Sequence, residues 1–192
     1  MTSNPIELSQ ENKEQDGLYH PSFEHDSCGI GFVANLDGRK TRNVVKGALT
    51  MLENMEHRGG QGAEPTSGDG AGILVQIPHE FLVEEARDLG FTLPTAGTYG
   101  VGNTFFPKEK SLQRKCILEL EKYVTNFQLE LIGYRNIPVN NKPLGKSAKD
   151  SEPAHIQFFV APKEAMDEDT LERKMVVLRK YANRTIHQLF PS

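Results

Sequence analysis

Beyond residue 28, apolar and polar positions follow helical and strand-like periods along most of the chain. Residues 29–36 form a short apolar run closed by Asp37-Gly38, which predicts a strand with Cys28 at its start. Over residues 41–57 the apolar positions Val44, Val45, Ala48, Leu49, Leu52 and Met55 recur at helical spacing, with Gly59-Gly60 as the stop. A glycine-rich loop, residues 59–70, leads into a second buried strand over residues 71–77, ended by Pro78. Residues 80–89 predict a short helix, 98–106 a strand, and 108–127 an amphipathic helix whose stripe holds Leu112, Cys116, Leu120 and Val124. A strand over 129–134, a polar loop over 140–153, a strand over 156–161 and a helix from about 168 to 182 complete the pattern. Alternation alone predicts a parallel, doubly wound sheet.

Composition separates the first 27 residues from the rest. They carry six acidic residues against the single base Lys13, and residues 1–17 are rich in Ser, Asn, Gln and Glu, the composition of a segment that need not fold. The remainder is nearly neutral, which leaves no electrostatic footprint for nucleic acid or an anionic membrane. With 192 residues and 37% hydrophobic content, one globular core is expected. No run approaches the roughly 20 apolar residues of a membrane span, and no secretory signal opens the chain, so a soluble cytoplasmic protein is expected. Cys28 and Cys116 cannot make a disulfide framework, and no Cys/His spacing fits zinc or iron–sulfur, so no metal site is expected. Cys116 lies on a helical apolar stripe and reads as a buried thiol.

Three motifs carry candidate chemistry. In Cys28-Gly29-Ile30-Gly31 the small residues allow close approach to the sulfur, and a cysteine exposed as residue one would have its own α-amine as base. The plain alternative is a small core residue at a strand start. In Glu56-His57-Arg58-Gly59-Gly60 the basic residues also suit a helix C-terminus, where they meet free carbonyls and the helix dipole. Ser67-Gly68-Asp69-Gly70-Ala71-Gly72 is not a nucleotide loop, because it precedes a strand and no Gly-Lys-Ser/Thr follows. It reads as a tight turn with a buried or loop-ordering aspartate.

In this order, the stretches from Phe23 to Ala34, Leu52 to Gly60, Gly68 to Ile73 and Gln76 to His79 closely resemble the start of the glutamate synthase large subunit, its glutamine amidotransferase region. Gly100-Val101-Gly102, Tyr134-Arg135-Asn136-Ile137-Pro138 and Gln157-Phe158-Phe159-Val160 continue the resemblance. It implies an α+β, four-layer αββα N-terminal-nucleophile hydrolase fold, which replaces the parallel-sheet default. It further implies a leader or propeptide, residues 1–27, and an amidotransferase domain over residues 28–192, with Cys28 as nucleophile and L-glutamine as substrate. Arg58 and Gly59 become candidates for orienting the nucleophile, and Asp69 for ordering the loop or holding the new ammonium, each against a purely structural role. His57 and His79 read as capping or packing histidines, since a free α-amine removes the need for an imidazole base.

The family's oxyanion Asn-Gly pair and its Arg-Tyr/Phe-Ser-Thr motif are not found: Asn103 and Asn141 lack a following glycine. The domain is therefore expected to be incomplete at its C-terminus. For a full-length enzyme the resemblance implies FMN and an iron–sulfur cluster, neither expected in this stretch. It also implies further synthase domains and a small subunit or ferredoxin as electron source. An inactive fragment and another class II amidotransferase, making a phosphoribosylamine or glucosamine phosphate, are the alternatives.

Overall fold

A computed structural model describes residues 29–60, 64, 66–68 and 70–189. They fall into two compact units, Met1–Leu74 and Val75–Ser192.

The second unit is organised by one strand that is buried on both faces. Strand β1 (Gly100–Phe106), helix α3 (Lys110–Asn126) and strand β2 (Leu129–Asn136) form a crossover unit, and strand β3 (Ala154–Pro162) lies between β1 and β2. β3 is antiparallel to both, with Thr104 opposite Ile156 and Tyr134 opposite Phe158. β1 and β2 therefore run parallel to each other, which is why a helix and not a hairpin joins them. Side chains of β3 alternate between two cores. Ile156 and Val160 join Phe106, Leu120, Val124, Leu129 and Leu178 under α3 and helix α5 (Glu168–Leu189). Phe159 and Ala161 face the other way, onto Leu82 and Ala86 of helix α2 (His79–Asp88) and onto Leu93 and Tyr99. Burial on both sides explains the unbroken apolar run at 158–161.

Local chemistry sets the element ends. The Glu109 carboxylate accepts from the backbone N–H of Ser111 (2.9 Å) and Leu112 (2.8 Å), capping α3. Asp167 does the same before α5, accepting from Thr170 N–H at 2.9 Å and from its hydroxyl at 2.7 Å. Both carboxyls are held below their ordinary values, above all by a hydroxyl bond, from Ser111 to Glu109 (2.9 Å) and from Thr170 to Asp167, and then by the N–H bonds. β2 carries a bulge between Leu131 and Gly133. A Cβ at Gly133 would stand 2.7 Å from the ring of Phe91, which itself packs on Phe159 with centroids 5.4 Å apart. Cys116 is buried and free, its thiol pushed up by burial, as its place on the α3 stripe predicts.

The first unit contains helix α1 (Arg42–Asn54) and, after Met55, a 3-10 turn, Glu56–Arg58. Its two expected strands are corrected: residues 29–36 and 71–74 have no ladder partner among the described residues, and residues 75–77 of the second unit have none either. A strand exists only as one member of a hydrogen-bonded pair, and apolar composition cannot supply the other. The predicted turn is present, with Gly38 (φ 70°) donating its N–H to the Asn35 carbonyl at 3.0 Å. The parallel-sheet default is likewise corrected to an antiparallel sheet. Two further differences lie in the second unit. The polar loop contains a short helix, α4 (Lys146–Ser151), with no apolar stripe to announce it. α5 runs past residue 182 because Ile186 continues its buried stripe and Thr185 shares a 2.9 Å hydrogen bond with Tyr123 of α3.

Leu120→Ala removes a fully buried side chain between α3 and the sheet and is expected to cost about 2–5 kcal/mol in urea unfolding. Because the native pKa values of Glu109 and Asp167 are lowered, their stabilising effect is complete above the ordinary values of 4.5 and 3.8 and is lost as pH falls through the native values. The urea midpoint of Glu109→Gln should accordingly lie below that of the wild type at about pH 6 and converge with it as pH falls through the native Glu109 value.

Candidate active site

The segment after Cys28 is laid along α1. A Cβ on Gly29 would stand 2.8 Å from the Met55 sulfur and 3.6 Å from Cβ of Arg58. Gly31 meets the Met51 sulfur, and Val33 meets Gly47, 3.3 Å from where its Cβ would be. Alternate residues of the segment thus descend the helix in reverse order. Ile30 and Phe32, on the intervening positions, are 95% and 92% exposed.

The Glu56-His57-Arg58-Gly59 motif closes the helix more tightly than a glycine stop would. Arg58 N–H donates to the Met55 carbonyl at 2.8 Å, and Gly59 N–H to Glu56 at 3.0 Å. Gly59 is not left-handed but extended (φ −82°, ψ 139°). Its lack of a side chain matters for space, since a Cβ would lie 3.3 Å from the Glu56 carbonyl oxygen. His57 donates from Nδ1 to the Asn54 carbonyl at 3.1 Å, in keeping with a capping histidine. Arg58 is exposed, with its stem beside Gly29.

The glycine-rich loop folds back on its own start. Ser67 donates both its N–H (3.0 Å) and its hydroxyl (3.1 Å) to the Glu64 carbonyl. A Cβ on Gly68 would come 3.0 Å from the Gly60 carbonyl oxygen, closer than side chains normally sit. Gly70 has φ 87°, a conformation that disfavours any side chain. Arg58 and Gly59 are therefore placed, whereas Cys28 and Asp69 lie outside the described residues.

His79 belongs to the second unit, where Nδ1 is 3.0 Å from the hydroxyl of buried Tyr99. Burial raises the Tyr99 pKa. This is a packing histidine at the start of α2. Sequence reasoning missed Arg135, which is 9% exposed. Its Nε and Nη2 both reach Glu85 Oε2 at 2.6 Å, and its guanidinium lies 5.3 Å from the Phe81 ring centre. An arginine beside the apolar run Leu131-Ile132-Gly133-Tyr134 was the available signal; its partner, fifty positions earlier on α2, was not.

The model of the glutamine amidotransferases class-II family matches residues 28–190. The chain belongs to this family. Among known relatives, this class-II amidotransferase is 41% identical over 167 residues to the glutamate synthase (NADPH) large chain of Bacillus subtilis, covering 86% of this chain and 11% of the relative. It is 38% identical over 183 residues to glutamate synthase (NADH) of Saccharomyces cerevisiae, covering 90% and 8%. To ferredoxin-dependent glutamate synthase 2 of Synechocystis it is 36% identical over 181 residues, covering 93% and 12%. The amidotransferase chain thus spans only 8–12% of the length of these relatives. No helix among the described residues is long and apolar enough to cross a membrane.

Gly68→Ala should open the loop at its Gly60 contact. Amide exchange over residues 59–70 is expected to rise by about an order of magnitude, corresponding to roughly 1 kcal/mol of local stability, while exchange in β3 stays unchanged.

Proposed function

We propose that this chain is the glutaminase part of a glutamate synthase, hydrolysing L-glutamine through Cys28 and supplying ammonia for reductive amination of 2-oxoglutarate. The observation that carries the reading is that the family match begins at residue 28, so Cys28 heads the matched region. Removal of residues 1–27 gives one residue that holds both a thiol and a free α-amine. Their ordinary pKa values, roughly 8.5 and 7.7–8.0, are close enough for the amine to take the thiol proton at small cost. The thiolate then adds to the side-chain amide carbon of glutamine. The amine returns its proton to the leaving nitrogen, the C–N bond breaks, and ammonia departs from a γ-glutamyl thioester. Water, deprotonated by the same amine, adds to the thioester; the C–S bond breaks and glutamate leaves. A leader still attached would turn the base into a peptide nitrogen and silence the chemistry.

Arg58 serves to orient the segment that follows the nucleophile, and support comes from its stem lying beside Gly29. Gly59 keeps the turn narrow, and Asp69 orders the glycine-rich loop or holds the new ammonium. The domain organisation proposed is a leader, residues 1–27, followed by the amidotransferase domain from Cys28 onward. Its architecture is proposed as a four-layer αββα fold, a reading supported by the family match over residues 28–190.

FMN and an iron–sulfur cluster are implied for the whole enzyme. The described residues do not fit a cluster: no group of three or more His, Cys, Asp or Glu side chains is placed to hold a metal, and Cys116 is alone and buried. No hydrolytic step above runs through either group. The remaining synthase domains, with a small subunit or ferredoxin, are the proposed route for electrons.

In the full-length protein, Cys28→Ala is expected to lower glutaminase turnover by on the order of 10³-fold or more. N-terminal sequencing of the active protein should begin at Cys28. Turnover that survives the substitution refutes the assignment.

A further inference from the structure

The contact between residues 29–33 and α1 is reciprocal. Large Met55 and Met51 fill the space left by Gly29 and Gly31, and large Val33 fills the space left by Gly47. Two residues of extended chain advance about 6.6 Å, and four residues of helix about 6 Å. The pairs 29/55, 31/51 and 33/47 therefore keep step over the whole contact. A slip of one step towards the C-terminus of α1 would drive Val33 into Met51, and a slip the other way would set Gly31 against Gly47 and leave that space unfilled. The opposite face, Ile30 and Phe32, is exposed, which leaves α1 as the element that sets the axial position of this segment among the described residues.

We propose that Met55 and Met51 are positioning residues for the segment that follows the nucleophile: their thioethers hold Gly29 and Gly31 at one height on α1. The proposal rests on the glutaminase reading. An unbranched thioether suits the task because it lies flat in the groove that a glycine leaves, whereas a β-branched residue would stand off the helix.

The test uses the full-length processed protein, with sites counted by glutamine-protectable alkylation of Cys28 so that misfolded molecules do not enter the rate. Per counted site, Met55→Ala is expected to lower kcat by roughly 10- to 100-fold, the scale of a misplacement of about 1 Å, with KM for glutamine nearly constant. Met55→Leu, which keeps the volume, should restore most of the rate. Gly31→Ala should show the same kcat loss, and adding Met51→Ala to it should recover activity by making room for the new methyl group. An unchanged kcat per site in Met55→Ala overturns the proposal, as does a Gly31→Ala, Met51→Ala double variant no faster than Gly31→Ala alone. If Met55→Ala fails to fold, the Gly31 pair still decides. Retained turnover in Cys28→Ala would instead remove the glutaminase reading, and the positioning role with it.

Discussion

Pairing of backbone hydrogen-bonding groups is the constraint on which this structure depends. In the second unit, β3 satisfies its N–H and C=O groups on both edges, through β1 and β2, and can therefore be buried on both faces. Everything else there follows from that strand. α3 and α5 cover one face, α2 covers the other, and Arg135 enters the second core only because Glu85 and Gln157 meet its guanidinium. Among the described residues no buried side-chain nitrogen or oxygen lacks a partner.

The first unit is held differently. Residues 29–33 rest on α1 through side-chain shape instead of ladder bonds, and no α1 residue is fully buried. Amphipathic α1, together with exposed Ile30, Phe32 and Leu74, presents much apolar surface for its size.

Legibility in the sequence followed the range of the forces involved. Helices α1, α2, α3 and α5 repeat their apolar residues every three to four positions, so periodicity exposed them, along with the burial of Cys116. Strands β1, β2 and β3 were legible as apolar runs between prolines and turns, but their pairing and order were not, since alternation predicts a parallel sheet. Residues 29–36 and 71–77 look no different in composition, yet lack partners, because pairing is a long-range property. α4 was hidden by its polarity, being held by contacts such as Lys146 to Asp150. At the site, the reading of His57 as a cap was available from the motif. The methionine–glycine complementarity was not, since it depends on which face of α1 the chain crosses.

The strand order β1-β3-β2 also carries a consequence for how the protein is made. The middle strand is the last of the three to leave the ribosome, so β1 and β2 are synthesised as two parallel edges with nothing between them. Only local helices can form at that stage, and the loop-closure cost of the sheet is met in one late step. Until Pro162 has emerged the sheet lacks its centre, and the core beneath α3 closes only when α5 follows it.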